Sequence, residues 1–267
     1  MTAFRTAASL SANLPSQSQG RSLESAFTHS IMTLGGFTNF LLILPVLLFS
    51  VIAHEYAHGY AALKQGDTTA LTLGRLTWNP AKHIDPFMTI LLPLMLAVMH
   101  APILGGAKPV PVNPRNYRQF KRGDIIVSLA GVFTNLLVAI GCTIVVVLLG
   151  LLARTSEALH PSIGILQAMF AFGIFLNMIL IAFNLIPIPP LDGSHVMKYL
   201  LPAAWSLRYQ ELGRYGLLIL ILLLYFGQKV LYWWMTPASL VGNAMFRAVK
   251  PFVIPAADPW VQRLLGA

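Results

Sequence analysis

The chain has 267 residues and a formal net charge of +9, and its composition is 56% hydrophobic but only 10% charged. Soluble domains carry roughly 25% charged residues, so this composition argues against a water-soluble globule and indicates an integral membrane protein. The basic residues are densest between Lys108 and Arg122, as in a cytoplasmic loop of a membrane protein. The sequence contains no basic domain with interleaved aromatic residues, so it does not indicate nucleic-acid binding.

The first 33 residues are rich in Ser, Thr, Ala and Gln, and they lack the apolar stretch and small-residue cleavage site of a signal peptide. Residues 1–33 are therefore predicted to be a disordered tail outside the fold. The folded domain is expected at 34–235, and residues 236–267 are expected to be a C-terminal segment at the membrane interface.

Long uncharged runs follow the tail and predict an α-helical multi-pass membrane protein. Three of them reach the roughly 20 residues that cross a hydrocarbon core, namely Leu34–Ala53, Ile125–Ala153 and Pro161–Leu191. They predict a core of three helices, at about 40–63, 125–153 and 163–188. A further C-terminal span is expected around Leu212–Tyr232.

Two stretches between the first two core helices have a different texture. Thr and Leu alternate around Gly74, which predicts short β-strands near 68–78. The stretch Lys108-Pro109-Val110-Pro111 must be extended, because prolines at alternate positions forbid a helix. Non-helical backbone beside a membrane is tolerated where protein or water satisfies its polar groups, so both stretches are expected to line a cavity. The alternative is an ordinary surface loop.

The chemically most informative motif is His54-Glu55-Tyr56-Ala57-His58, near the end of the first uncharged run. On a helix this spacing places the two imidazoles one turn apart on one face, where they can share a zinc ion, with the glutamate beside a zinc-activated water. The alternative is a pair of polar residues at the end of a helix.

A second chemical cluster closes the third uncharged run and ends in Leu191-Asp192-Gly193. Its three prolines must break the helix and present Asp192 from irregular backbone. An ionisable group within the membrane is energetically costly, so it is a functional candidate and usually has a partner there. A zinc ion is a suitable partner for Asp192. Two histidines and one carboxylate leave one tetrahedral position open, which is typical of catalytic rather than structural zinc.

Together with the stretch Ser128–Asn135, these two motifs resemble the site-2 protease family of intramembrane zinc metalloproteases. Four linking segments are similar to those of its compact bacterial branch, which has no PDZ domain: Gly66–Thr68, Gly74–Thr77, Asn79–Pro86 and Ala107–Asn113. The resemblance implies three core helices around one zinc ion, with His54, His58 and Asp192 as ligands. The family commonly has Gly-Pro-x-x-Asn where this chain has Gly131-Val132-Phe133-Thr134-Asn135, so a proline is replaced and the asparagine is kept.

The predicted activity is hydrolysis of peptide bonds in or near the transmembrane segments of membrane proteins. Glu55 would take a proton from the zinc-activated water and return it to the leaving amine. Asn135 or Asn184 would donate a hydrogen bond to the developing oxyanion, although bonding between helices is the alternative for both. The sequence contains no phosphate-binding glycine motif, so a nucleotide ligand is not indicated.

The competing hypothesis is a metal-binding transporter or channel without peptidase activity, because histidines and carboxylates within the membrane also mark ion pathways. The sequence shows no inverted repeat, and Glu55 supplies a base that ion passage does not require. A relative that binds substrate without cleaving it is the third possibility, and the intact ligands and base argue against it.

The apolar segment 86–104, which carries Pro93 and Pro102, is expected to be re-entrant. The metal motif and Asp192 each lie toward the end of a helix and must share one depth, so an odd number of crossings between those helices is required. Residues 125–153 supply that crossing, and a second full span would place Asp192 at the opposite face. With this topology eleven of the 18 Lys and Arg residues lie on the active-site side, which predicts a cell-membrane protein whose site faces the cytoplasm.

Overall fold

A computed structural model describes residues 34–91, 95 and 106–255. The expected N-terminal tail, 1–33, and most of the expected re-entrant segment, 86–104, lie outside these residues; within the segment the structure describes a π-helical turn, Pro86–Leu91, and the single position 95. The chain divides into two compact units, Met1–Leu44 and Pro45–Ala267. All contacts described below belong to the second unit.

The protein is mainly helical. Three long helices match the predicted core: α1 (Leu34–Gln65), α3 (Phe120–Ala153) and α4 (His160–Asn184). Short helices α2 (Thr69–Thr72), α5 (Asp192–Met197) and α6 (Ala203–Glu211) connect or follow them. Two further helices, α7 (Gly216–Phe226) and α8 (Gln228–Val249), come after these. Within the described part of the chain, three helical stretches are long and apolar enough to cross a membrane: Phe120–Ala153, Glu157–Asn184 and Ala203–Phe226.

The core helices pack through small residues. Buried positions on α3 recur every three or four residues, at Val127, Gly131, Asn135, Ala139, Cys142, Val146, Gly150 and Ala153. On α4, Gly173 is so close to both neighbours that an added Cβ would lie 2.7 Å from Cys142 Sγ and 2.8 Å from Val46 Cγ1. Small residues allow this approach, and polar side chains join the helices further, as Asn177 Nδ2 does by donating to Ser50 Oγ at 2.9 Å.

The prediction of short β-strands near 68–78 is wrong. Residues 68–78 form helix α2 and turns, and no strand lies among them. The carboxylate of Asp67 accepts hydrogen bonds from the backbone N–H and the hydroxyl of Thr69, which starts a helical turn. Thr72 then donates its hydroxyl to the carbonyls of Thr68 and Thr69. The alternation of Thr and Leu therefore reflects local hydrogen bonds of the threonines and not two faces of a sheet.

The third core helix and the C-terminal region differ in detail from the prediction. Helix α4 ends at Asn184 instead of 188, because the prolines that follow cannot continue a helix. The span expected at 212–232 is interrupted at Gly227, where α7 gives way to α8. Glycine is a poor helix former, and this one lies against Leu223 of the preceding turn. Helix α8 packs on α4, since Trp234 Nε1 donates to the carbonyl of Ala182 at 2.9 Å.

A non-helical segment, Gly106–Asn113, lies beside the end of α1, and we call it the strap. Its backbone is held by groups from other parts of the chain. Lys108 N donates to the carbonyl of His83 at 2.8 Å, and Asn113 N donates to Asp67 Oδ2 at 2.6 Å. Arg75 Nη2 donates to the carbonyl of Lys108 at 3.0 Å. As the prolines predicted, no residue of the strap is helical.

Asp67 is the main anchor of this region. Its side chain is fully buried and accepts hydrogen bonds from Thr69, from Asn113 N and from Asn116 Nδ2. Burial alone would raise the pKa of Asp67, but the hydrogen bonds from Thr69, Asn113 and Asn116 outweigh it and hold the pKa below its usual value. The ionised carboxylate therefore stabilises the folded state above the pKa that Asp has in unfolded chains, about 3.9.

We expect Asp67→Ala to lower the free energy of unfolding at pH 7 by about 2–4 kcal/mol, because Thr69, Asn113 and Asn116 lose a buried, charged acceptor. The measurement is reversible unfolding in detergent, with Thr72→Ala as the control. Thr72 is exposed, so its removal should change stability by less than about 0.5 kcal/mol. The cost of Asp67→Ala should shrink as the pH falls below about 4, since protonation then removes the same interaction from the wild type. Equal costs for the two variants at pH 7 would contradict the assignment.

Candidate active site

Three side chains from two helices meet at the end of α1. His54 and His58 lie one turn apart on α1, and their Nε2 atoms are 3.0 Å from each other. Asp192 is the first residue of α5, and its Oδ2 lies 3.3 Å from His54 Nε2 and 3.4 Å from His58 Nε2. This oxygen is buried and accepts no hydrogen bond within the described part of the chain. The structure therefore brings together the three ligands predicted from the sequence.

The geometry of these three atoms fits a metal ion. Zinc binds nitrogen and oxygen at about 2.0–2.1 Å, and the ligand atoms of a regular tetrahedron of that size are about 3.3 Å apart. The observed separations of 3.0, 3.3 and 3.4 Å form a nearly equilateral triangle of that size. Among the described residues, His54, His58 and Asp192 are the one group of three or more His, Cys, Asp and Glu residues whose ligand atoms lie close enough together to hold a metal ion.

Hydrogen bonds on the far side of each imidazole orient the rings. His58 Nδ1 lies 2.7 Å from the carbonyl oxygen of Val127, which can only accept, so this nitrogen carries the proton and Nε2 presents its lone pair. His54 Nδ1 lies 3.1 Å from the carboxamide of Asn135. The nearer amide atom is Nδ2, and the buried Oδ1 has no partner in the described residues. Rotation of the amide by 180° lets Oδ1 accept from Nδ1, which frees His54 Nε2 in the same way.

Glu55 follows the first histidine and faces the strap. Its Oε2 accepts a hydrogen bond from Val110 N at 2.8 Å. Val110 lies between Pro109 and Pro111, which have no N–H to offer, so within this stretch the strap presents a single donor to the carboxylate. The hydrogen bond holds one carboxylate oxygen and orients the side chain beside the two histidines.

The structure places the two candidate asparagines differently. Asn135 is fully buried on α3 and contacts His54. Asn184, the last residue of α4, donates its amide to the carbonyl of Leu180 in its own helix at 2.9 Å. No hydrogen bond recorded for the described residues joins Asn184 to the three ligands. The donation of a hydrogen bond to an oxyanion stays a prediction for both residues.

Sequence reasoning missed several groups that shape the site. Two are backbone groups, the carbonyl of Val127 and the N–H of Val110, which leave no side-chain signature. The third is Gly131, which sequence reasoning named only as part of the Gly131–Asn135 stretch and gave no role at the site. A Cβ there would lie 2.5 Å from His54 Cε1 and 2.6 Å from the Nε2 atoms of both histidines. Its place four residues before Asn135 in the Ser128–Asn135 stretch is the signal that marks it.

Comparison with known proteins agrees with this geometry. YwhC of Bacillus subtilis is 38% identical over 177 residues, which cover 66% of this chain and 77% of YwhC. Rip2 of Mycolicibacterium smegmatis is 33% identical over 186 residues, 69% of this chain and 67% of the relative. Rip2 of Mycobacterium tuberculosis is 30% identical over 159 residues, 60% of this chain and 57% of the relative. All are named as zinc metalloproteases.

No solved structure matches the chain. The sequence profile of peptidase family M50 matches residues 39–224, a stretch that contains both motifs, α3, α4 and the strap. The resemblance to the site-2 proteases is thereby confirmed. The chain belongs to peptidase family M50, the site-2 protease family.

Proposed function

We propose that the protein is an intramembrane zinc metalloprotease that hydrolyses peptide bonds in or near the transmembrane segments of membrane proteins. The observation that carries the proposal is the triangle of His54, His58 and Asp192 beside Glu55, at the end of a long apolar helix. Membership of family M50 and the names of the relatives support it. Family membership also disfavours the transporter hypothesis.

His54, His58 and Asp192 would hold one zinc ion. When bound, zinc supplies Lewis-acid chemistry, because it acidifies water and polarises a peptide carbonyl. Glu55 acts as the general base that takes the proton of the attacking water, and it then returns that proton to the leaving amine nitrogen. The N–H of Val110 holds one oxygen of Glu55, so the carboxylate is already oriented before substrate arrives. Asn135 and the carbonyl of Val127 contact the Nδ1 atoms of His54 and His58 and so orient the imidazoles, whose Nε2 atoms would bind the ion.

The substrates are membrane proteins with a transmembrane helix, and the protease binds them within the lipid bilayer. A helix hides its peptide groups in hydrogen bonds between residues i and i−4, so it must unwind locally before attack. Weak helix formers such as Gly, Asn and Pro near the cleaved bond lower the cost of unwinding. We therefore expect cleavage sites to contain such residues.

The site faces the cytoplasm in the proposed topology of a cell-membrane protein. Arg118 N donates to the carbonyl of Gln65 at 2.8 Å, so the start of α3 lies beside the end of α1. Whatever path the intervening residues take, they begin and end on one side of the membrane, which supports a re-entrant 86–104. Most Lys and Arg residues then fall on that side, as the positive-inside rule requires.

Substitutions should separate metal binding from turnover. We expect His54→Ala, His58→Ala and Asp192→Ala each to lose activity and most of the zinc affinity, because each removes a ligand atom. Glu55→Gln should keep zinc but lose at least about 100-fold in rate, because only the general base is removed. The measurements are zinc content by atomic spectroscopy and cleavage of a membrane protein that accumulates in cells carrying Glu55→Gln. A chelator should abolish cleavage, and added zinc should restore it. Retained activity in Glu55→Gln would refute the mechanism.

A substitution beside the ligands should reduce zinc binding by steric contact alone. Gly131→Ala is expected to displace the imidazoles and to reduce bound zinc by about tenfold or more, since its Cβ meets three ring atoms of His54 and His58. Gly141→Ala on the same helix is the matched control, because its Cβ has no atom within 4 Å and should leave zinc content unchanged. Equal zinc in both variants would show that the ligands tolerate a methyl group at 131.

Cysteine labelling tests the topology. Cysteines placed singly at Thr68 and Arg118, in a Cys142→Ser background, should be labelled by an impermeant thiol reagent from the cytoplasmic side. A cysteine at Ser156, in the exposed turn after α3, should be labelled from the other side and serves as the control. Labelling of 68 and 118 from opposite sides would overturn both the re-entrant segment and the shared depth of the ligands.

A further inference from the structure

A second carboxylate, outside the metal triangle, holds the segment that begins with Asp192. Asp124 lies in the first turns of α3 and is only 2% exposed. Its Oδ2 is 2.6 Å from Lys198 Nζ and accepts the hydroxyl of Tyr199 at 2.9 Å, and its Oδ1 is 3.3 Å from His195 Nδ1. All three partners belong to α5 or follow it directly, so one side chain of α3 binds the whole segment.

We infer that Asp124 is a positioning residue for Asp192; this inference rests on the proposed function, in which Asp192 is a zinc ligand. Asp192 opens a helix of six residues that follows irregular backbone, and Leu191 before it provides no side-chain cap. A helix this short has no stability of its own and takes its position from tertiary contacts. At the C-terminal end of α5 and just after it, the polar side chains of His195, Lys198 and Tyr199 all contact Asp124.

Helix α3 therefore positions both the histidine pair and the segment that carries Asp192. Asp124, Val127 and Gly131 follow one another at spacings of three and four residues, so they lie on one face of the helix. Val127 orients His58, and Gly131 leaves room for both imidazoles, whereas Asp124 binds the segment of Asp192. A shift of α5 along α3 would change the distances from Asp192 Oδ2 to the two Nε2 atoms. We therefore predict that a substitution of Asp124 lowers zinc affinity although His54, His58 and Asp192 are all still present.

The experiment measures zinc affinity by chelator competition on the full chain in detergent, and it records the absorption spectrum of the cobalt(II)-loaded protein. Asp124→Asn should bind zinc about 10- to 100-fold more weakly than the wild type, the usual effect of losing a partner that orients a ligand. Its cobalt spectrum should depart from that of the wild type. Asp67→Asn is the matched control, since it also alters a buried, multiply hydrogen-bonded carboxylate but touches no residue of α5. It should leave zinc affinity and the cobalt spectrum unchanged.

A double variant separates positioning from general loosening of the fold. If Asp124 acts through Asp192, Asp124→Asn combined with Asp192→Ala binds zinc as weakly as Asp192→Ala alone, because the ligand that Asp124 positions is already gone. Should Asp124→Asn fold poorly, Tyr199→Phe replaces it in the same design. That substitution removes one hydrogen bond and leaves no charge unpaired, and it should weaken zinc binding by about fivefold.

The outcomes distinguish the two claims. Wild-type zinc affinity in Asp124→Asn and Tyr199→Phe, with zinc binding weakened in Asp192→Ala, overturns the positioning role and leaves the proposed function intact. Further weakening in the double variant beyond Asp192→Ala also overturns it, since the effect is then a general one. Wild-type zinc affinity in Asp192→Ala overturns both. A cobalt spectrum altered in Asp124→Asn but not in Asp67→Asn, together with no further loss in the double variant, supports the inference.

Discussion

The structure depends on the meeting of one carboxylate with two imidazoles inside an apolar helix bundle. A carboxylate in such surroundings is costly unless it has a partner, and Asp192 lies 3.3 and 3.4 Å from the Nε2 atoms of His54 and His58. The same separations suit a tetrahedral zinc ion, so the arrangement that relieves the isolated charge is also the one that binds metal.

Helix α3 makes the meeting possible although it contributes no ligand. A helix presents the same face every three or four residues, and the face of α3 that is turned to the site offers a different group at each step. Val127 offers a carbonyl to His58, Gly131 offers space, and Asn135 offers an amide to His54. A longer side chain at position 131 would occupy the volume of the imidazoles.

The non-helical backbone beside the site is satisfied by side chains. The strap is bound by Asp67 near one end, by Arg75 near the other and by Glu55 between them. Irregular backbone close to a membrane requires such partners, because lipid offers none. The proposed catalytic base is thus also part of the hydrogen bonding that holds the strap, which links the orientation of Glu55 to the fold of the loops.

The sequence by itself determined the helical membrane class, the three core helices, the family and the ligands to be tested, because these depend on local patterns: the length of apolar runs, the spacing of two histidines on one helix and a proline break before an aspartate. It misjudged residues 68–78, where the bonds of Asp67 and the threonines override the alternation. Only the tertiary structure decided what surrounds the ligands. The carbonyl of Val127 and the N–H of Val110 are backbone groups that almost every residue has, so no sequence pattern marks them. Asp124 acquires its partners only when α5 packs on α3, so no local pattern could reveal its role either.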